Sequence, residues 1–328
     1  MYSLVRVGGS SATVTPAIKR RIDVENEISA RLSRDGVAPV FFGRFENGRV
    51  EEFYNGSSTL HWNQMGATEE QIATPRTRLS YAYSLAEGFA MFHKLEYEDG
   101  VCLTDRGSPA QTWGQTAAWI ELADDYVTNK PGCGEKVEQV LQPYGGYQKV
   151  REEWEWLKSY LSPSSTLVAQ SEGVKFSREN IFTHHDLQPL NILKNEEWGE
   201  YIVKFIDFEY AGHNPRSLDI ANTWCEHTTM TDFTQDYDKE YPNPAQKNFF
   251  VVCYLEHLDP AGINGGKFSD EFVADFITDI DRHALLSHYL WLMWSVRQAI
   301  DADIEWDYYR YIGVRAEGYY WMKKQLGL

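Results

Sequence analysis

The stretch Thr183–Glu209, THHDLQPLNILKNEEWGEYIVKFIDFE, constrains the chain more than any other. Apolar runs at Asn191–Leu193 and Tyr201–Ile206, separated by a polar turn, read as the two arms of a hairpin. Asp186 and Asn191 stand in the spacing Asp-x-x-x-x-Asn, and the second arm delivers Asp207, the first residue of Asp-Phe-Glu. Phosphoryl transfer needs one carboxylate facing an acceptor hydroxyl and oxygen ligands that fix Mg²⁺ against nucleotide phosphates. A polar turn, or a hairpin ending on a capping Asp, would account for either half by itself. Taken together and in order, they make Asp186 the candidate base and Asn191 and Asp207 the candidate Mg²⁺ ligands, with ATP as the phosphate source.

A chain of 328 residues is long for one core and suits two lobes. Lys and Arg number 31 against 48 Asp and Glu, a formal net charge of −17. That balance argues against nucleic acid or an anionic membrane surface as a partner, and is compatible with a small cation. Cys102, Cys133, Cys225 and Cys253 are scattered without close pairs, which suits reduced thiols better than a disulfide frame or a zinc site. The start has no basic-then-apolar pattern of a signal peptide. The most apolar helical stretch, Ala284–Ile300, carries His288, Ser295 and Arg297 and is too short to span a bilayer. The expectation is a soluble, cytoplasmic protein.

Taken in order, Ser3–Val7 alternates as a strand carrying Arg6, and Ile18–Ser33 has helical apolar spacing with Glu25 in its first half. Pro39–Phe45 and Arg49–Tyr54 read as a hairpin across Asn47–Gly48, a type I′ turn signal. Beyond Gly56 the chain reads as mostly helical, with Pro75–Leu95, Trp113–Tyr126 and Gln148–Leu161 amphipathic. His93 in the first of these suits a satisfied core position. Asn129–Gly132 and Gln142–Gly146 read as loops.

THHDLQPLNIL followed by IDFEYAGHNPRSLDIANTWCEH, and later SHYLWLMWSVRQAIDADIEWDYYRYIGVRAEGYYWMKK, resemble the choline/ethanolamine kinase family, choline kinases especially. His185 and Leu190 stand where that family usually has Asn and Gly. The resemblance implies an α+β, protein-kinase-like bilobal fold: a small, N-terminally shortened β-rich lobe over residues 1–55 and a large, mostly helical lobe over 56–328. It implies that Arg6 contacts ATP phosphates and is held by an ion pair from Glu25. The backbone at Glu52 and Phe53 would meet the adenine edge. Against a kinase small lobe the chain begins at the third strand, and Gly8–Gly9 do not supply a Gly-rich phosphate loop. A shortened product, or a different cover over ATP, are the two readings of that start. Gln188 is implied to line the acceptor pocket, and Asp219 to be buried and structural.

A quaternary ammonium donates no hydrogen bonds, so a protein holds it with aromatic faces and a nearby carboxylate. Trp291 and Trp294 lie three apart on one helix face, with Tyr311 on the next helix and Tyr210 just past the metal loop. With Glu226 as counter-charge they form a candidate cage for choline; a plain aromatic core is the alternative. Choline kinases usually carry a further Tyr after Cys-Glu, and here only Phe233 or Tyr237 is near. The reading is therefore a choline kinase using Mg²⁺ and ATP, acting on a small molecule, with a homodimer left open. The alternatives are an ethanolamine kinase, an aminoglycoside phosphotransferase, which would want an acidic pocket, and a catalytically impaired choline-binding pseudokinase.

Overall fold

A computed structural model of the chain describes residues 2–7, 16–74, 80–97, 110–130, 132–162, 164–228, 236–301 and 306–328. Gly8–Gly9, the expected helix start at 75–79, Cys102, Pro131 and Phe233 lie outside the described residues. The chain packs as two compact units that interleave in sequence. The first holds Met1–Ser108, Asn180–Asn214 and Pro244–Phe268; the second holds Pro109–Glu179, Pro215–Asn243 and Ser269–Leu328. The lobe boundary expected at residue 55 falls inside the first unit.

In the first unit, β1 (Tyr2–Val7), α1 (Pro16–Arg34), β2 (Phe41–Phe45) and β3 (Gly48–Phe53) follow the sequence expectation closely. The three strands form an antiparallel sheet in the order β1-β3-β2. Helix α1 buries Ile28 and Leu32 and packs on β2 and β3. Each such fully buried aliphatic contributes about 1.5–3 kcal/mol.

The hairpin turn corrects the sequence reading. Phe45 pairs with Gly48, so the two-residue loop is Glu46–Asn47, one residue earlier than expected. Neither loop residue has a positive φ, so a type I′ turn is not what Gly48 serves. Gly48 pairs with Val7, and a Cβ there would lie 2.1 Å from the Arg6 carbonyl oxygen and 2.6 Å from the Phe45 ring. The glycine is required by close approach of β1.

The rest of the unit adds β4 (Ser58–Thr59), β5 (Asn180–Thr183), β6 (Ile192–Lys194), β7 (Val203–Phe205) and β8 (Gly212–Pro215). They form the sheets β4-β6-β7 and β5-β8. Helix Tyr81–His93 packs against helix Pro244–Leu258, and His93 is buried with Nδ1 2.9 Å from the Tyr254 hydroxyl, the core role expected of it.

The second unit is helical. Its axis is the helix Asp270–Asp301, longer at both ends than the apolar stretch read from sequence, and it is buried on all sides from Ala284 to Met293. Helices Gln111–Asn129, Glu172–Ser177, Arg216–Cys225 and Tyr308–Gln325 pack on it. Several buried polar groups inside this packing are paired: Arg178 makes a two-pronged contact with Asp279 at 3.0 and 2.8 Å. Asn222 Oδ1 accepts from Ser287 Oγ and Trp291 Nε1 at 2.8 and 2.7 Å. No described helix is long and apolar enough to cross a membrane.

Candidate active site

The hairpin read from sequence forms, with Ile192 opposite Phe205 in antiparallel register, and Ile206 N–H donates to the Asn191 carbonyl at 3.1 Å. Pairing to the end of both arms is what sets Asp207 beside the Asn191 turn. Asn191 Nδ2 donates to the Asp186 carboxylate Oδ2 at 3.0 Å and to its carbonyl at 2.8 Å, so the two loop residues hold one another. His184 is fully buried. Its Nε2 donates to Ile206 O at 3.0 Å and its Nδ1 accepts from Asp186 N–H at 3.3 Å, tying the loop to the hairpin.

The two departures from the family pattern have different physical meanings. His185 sits at φ 65°, the left-handed region where Asn is the easiest non-glycine residue and His is also enriched. Leu190 lies in the short turn Pro189–Asn191 without a positive φ, and it is 46% exposed. The backbone at that position does not need glycine. Asp207 also has a left-handed φ of 69°, an outlier of the kind that clusters at functional sites.

Arg6 reaches this loop: its Nη1 lies 3.2 Å from Asp207 Oδ2. Glu25 does not hold it. Arg6 Nε donates to Glu51 Oε1 at 2.6 Å, while Glu25 Oε1 accepts from Arg49 Nη1 at 2.6 Å. The reason lies in the register, which sets Arg6 directly opposite Arg49 and gives α1's carboxylate to the nearer guanidinium. Burial works against the Arg6 charge, but Asp207 and Glu51 outweigh it and hold its pKa above the ordinary value. Glu52, expected at the adenine edge, has its N–H committed to Val40 O at 2.8 Å inside the sheet; Phe53 is exposed at the strand end. Gln188 has a buried Oε1 without a protein hydrogen-bond partner, an acceptor in place for a ligand donor.

The second unit carries the aromatic residues. Trp291 and Trp294 meet edge-on with centroids 5.5 Å apart, and Trp294 contacts Tyr308 and Tyr311 at 5.8 and 6.4 Å. Trp306 closes on Tyr308 and Tyr311 at 4.7 and 4.9 Å. Trp306 and Tyr308 are additions to the residues expected from sequence, although both sit within five residues of Tyr311. Trp294 and Trp306 are half-buried, and the others are buried. Tyr210, in the first unit, is buried in the turn after Phe208.

Glu226 is not a free counter-charge. It is buried against Arg315, whose Nε also donates to the Tyr311 hydroxyl at 2.7 Å. Arg315 lies one turn after Tyr311, a spacing that could have flagged it. Tyr237, the substitute considered for the family's extra Tyr, gives its hydroxyl to Val314 O at 2.7 Å and is internal. Asp219 is buried at 1% exposure, as expected of a structural residue.

The model of the family described as choline/ethanolamine kinase matches residues 4–320. A probable choline kinase 2 of Arabidopsis thaliana is 26% identical over 98% of this chain and 78% of its own length. The ethanolamine kinase 1 of Mus musculus is 25% identical over 98% of this chain and 77% of its own. The crystal structure of a choline kinase from Cryptosporidium parvum superposes with a TM-score of 0.74 at 21% identity, covering 99% of this chain and 82% of that one, which establishes the protein-kinase-like α+β fold. The chain belongs to the choline/ethanolamine kinase family and is an ATP-dependent phosphotransferase.

Proposed function

We propose that this chain transfers the γ-phosphoryl group of Mg·ATP to the hydroxyl of choline, with ethanolamine as a weaker acceptor. The contiguous cluster Trp291, Trp294, Trp306, Tyr308 and Tyr311 carries the choline assignment. Aromatic faces suit a trimethylammonium, which offers no N–H to a carboxylate.

In this reading Asp186 orients the acceptor hydroxyl and takes its proton while the hydroxyl oxygen bonds to the γ-phosphorus. The bond to the β–γ bridging oxygen breaks and ADP leaves. Asn191 Nδ2 holds the Asp186 carboxylate, so the base keeps its aim without an entropic cost at each turnover. Gln188, on the same loop with a buried Oε1, lines the acceptor pocket. Arg6 steadies the phosphates through its terminal guanidinium nitrogens.

The oxygen donors present fit Mg²⁺. Asn191 and Asp207 supply an amide and a carboxylate oxygen, and no cluster of three or more His, Cys, Asp or Glu forms a cage among the described residues. Mg²⁺ is commonly held by one or two carboxylates together with substrate phosphates. When bound there it would neutralise charge on the phosphates.

The test is ADP release from Mg·ATP with choline, with ethanolamine and with neither. Turnover that depends on choline and exceeds that with ethanolamine supports the reading. Ethanolamine clearly ahead moves the chain to the sister activity, and silence with both overturns the acceptor assignment.

A further inference from the structure

The carboxylate that grips Arg6 comes from the neighbouring strand. Glu51 lies two residues from Arg49 on β3, and Arg49 stands directly opposite Arg6 on β1, so all three side chains share one face of the sheet. Two guanidinium groups directly opposite each other on adjacent strands repel. Glu51 resolves this by bridging them: Oε1 accepts from Arg6 Nε at 2.6 Å and Oε2 accepts from Arg49 Nε at 2.7 Å. Arg49 extends the chain to α1 through Glu25 at 2.6 Å and reaches Asn26 Oδ1 at 3.5 Å. The run Asp207–Arg6–Glu51–Arg49–Glu25 thus ties α1 to the metal loop through two arginines. Its centre is shielded from water, with side-chain exposures of 5% at Arg49 and 7% at Glu51, while Arg6 keeps 28%.

The mode of attachment matters as much as the charge. Glu51 takes Arg6 by Nε, at the root of the guanidinium, which leaves the terminal fork pointing onward, with Nη1 at Asp207. An arginine held by Nε has its plane set while its terminal nitrogens project beyond the anchor, here with Nη1 3.2 Å from Asp207 Oδ2.

We propose that Glu51, itself locked by Arg49, is a positioning residue that aims the Arg6 fork at the nucleotide phosphates, in place of a direct pair between Arg6 and α1. This rests on the reading of Arg6 as a phosphate contact. Neither Glu51 nor Arg49 needs to touch the nucleotide.

The experiment compares wild type with Arg6→Lys, Glu51→Gln and the double variant. It measures the Kd of a nonhydrolysable ATP analogue by calorimetry, KM for ATP and for the acceptor, and a thermal melt. A Gln at 51 can accept from one arginine but turns a donor toward the other. Loss of one charged hydrogen bond predicts nucleotide binding weakened about tenfold in Glu51→Gln, with the acceptor KM within about twofold of wild type. Because Glu51 acts through Arg6, the double variant should bind the analogue no more weakly than Arg6→Lys alone. Losses that multiply in the double overturn the proposal, as does normal binding in Glu51→Gln beside weakened binding in Arg6→Lys. Normal binding in Arg6→Lys removes the phosphate contact itself, and the positioning role with it. Should Glu51→Gln fail to fold, Arg49→Lys keeps the charge beside Glu51 but loses the Nε contact. It should show a smaller loss in the same direction that vanishes in the Arg6→Lys background, and a loss that persists there overturns the proposal.

Discussion

Glu226 separates two accounts of how the acceptor's positive charge is met, and its substitution by Gln tests them. The carboxylate and Arg315 are both nearly inaccessible, at 2% and 4% side-chain exposure, and Arg315 also serves the Tyr311 hydroxyl at 2.7 Å. Removing one partner of such a pair leaves a buried charge uncompensated, at a cost of about 3–5 kcal/mol. At roughly 2–4 °C per kcal/mol for a unit of this size, Glu226→Gln should lower the melting temperature on the order of 10 °C. The neutral double variant Glu226→Gln/Arg315→Met removes both charges and should regain most of that loss, since apolar replacements of a buried pair are often close to neutral. If Glu226 is occupied by Arg315, the double variant should keep its choline KM within about threefold, the residue of a lost hydrogen bond to Tyr311. Calorimetric melts and steady-state kinetics on both variants decide it. A single variant with an unchanged melt, beside a double variant whose choline KM rises about tenfold, would refute the reasoning and restore Glu226 as the ammonium's partner.

Asp186→Asn keeps an acceptor for Asn191 Nδ2 but cannot take the hydroxyl proton; kcat should fall about 10²–10⁴-fold with analogue binding within about twofold, by steady-state kinetics and calorimetry. Trp294→Ala should raise the choline KM by a few-fold to roughly thirtyfold, the range of a cation–π contact worth about 0.5–2 kcal/mol, and leave the KM for ATP in place; equal movement of both would make Trp294 a core residue. Burial pushes His227 down to about 4 from 6.5, so the unfolded chain binds a proton that the folded chain excludes. The stability this residue contributes is present above pH 6.5 and lost as pH falls toward 4, about 2 kcal/mol by pH 5. Urea midpoints should therefore fall less between about pH 7 and pH 5 in His227→Asn than in wild type.

What the sequence made legible was local. The strand at Ser3, the helix around Glu25 and the hairpin that returns Asp207 to Asn191 each rest on periodicity within a short window, and all three formed. The misreadings came where two candidates of the same chemistry competed. Arg6 and Arg49 are both near Glu25 and Glu51 in any small sheet, and the strand register alone decides which guanidinium meets which carboxylate. The alternation in GRVEEF already placed Arg49 and Glu51 on one face, which was the usable signal. Gly48 looked like a turn residue because Asn-Gly is the usual hairpin turn, whereas it is kept small by the carbonyl of Arg6. The partner of Glu226 lies 89 residues away, and the one local pointer to it was its place one turn after Tyr311.

These pairings bear on how a chain of net charge −17 handles an anionic nucleotide. Acidic side chains around the two sites are met by arginines: Glu25 by Arg49, Glu51 by Arg49 and Arg6, and Glu226 by Arg315. Surface charge farther than about 8 Å from the phosphates is largely screened at physiological ionic strength, so the overall excess of carboxylates counts for little at the site. What counts is whether a nearby cation is both charged and aimed. Asp207 and Glu51 hold the Arg6 pKa above its ordinary value, and the Nε anchor sets its plane. On the proposal that Arg6 meets phosphate, an acidic protein presents a short-range positive group there because Glu51 holds that arginine at its root and its terminal nitrogens reach onward to the Asp207 loop.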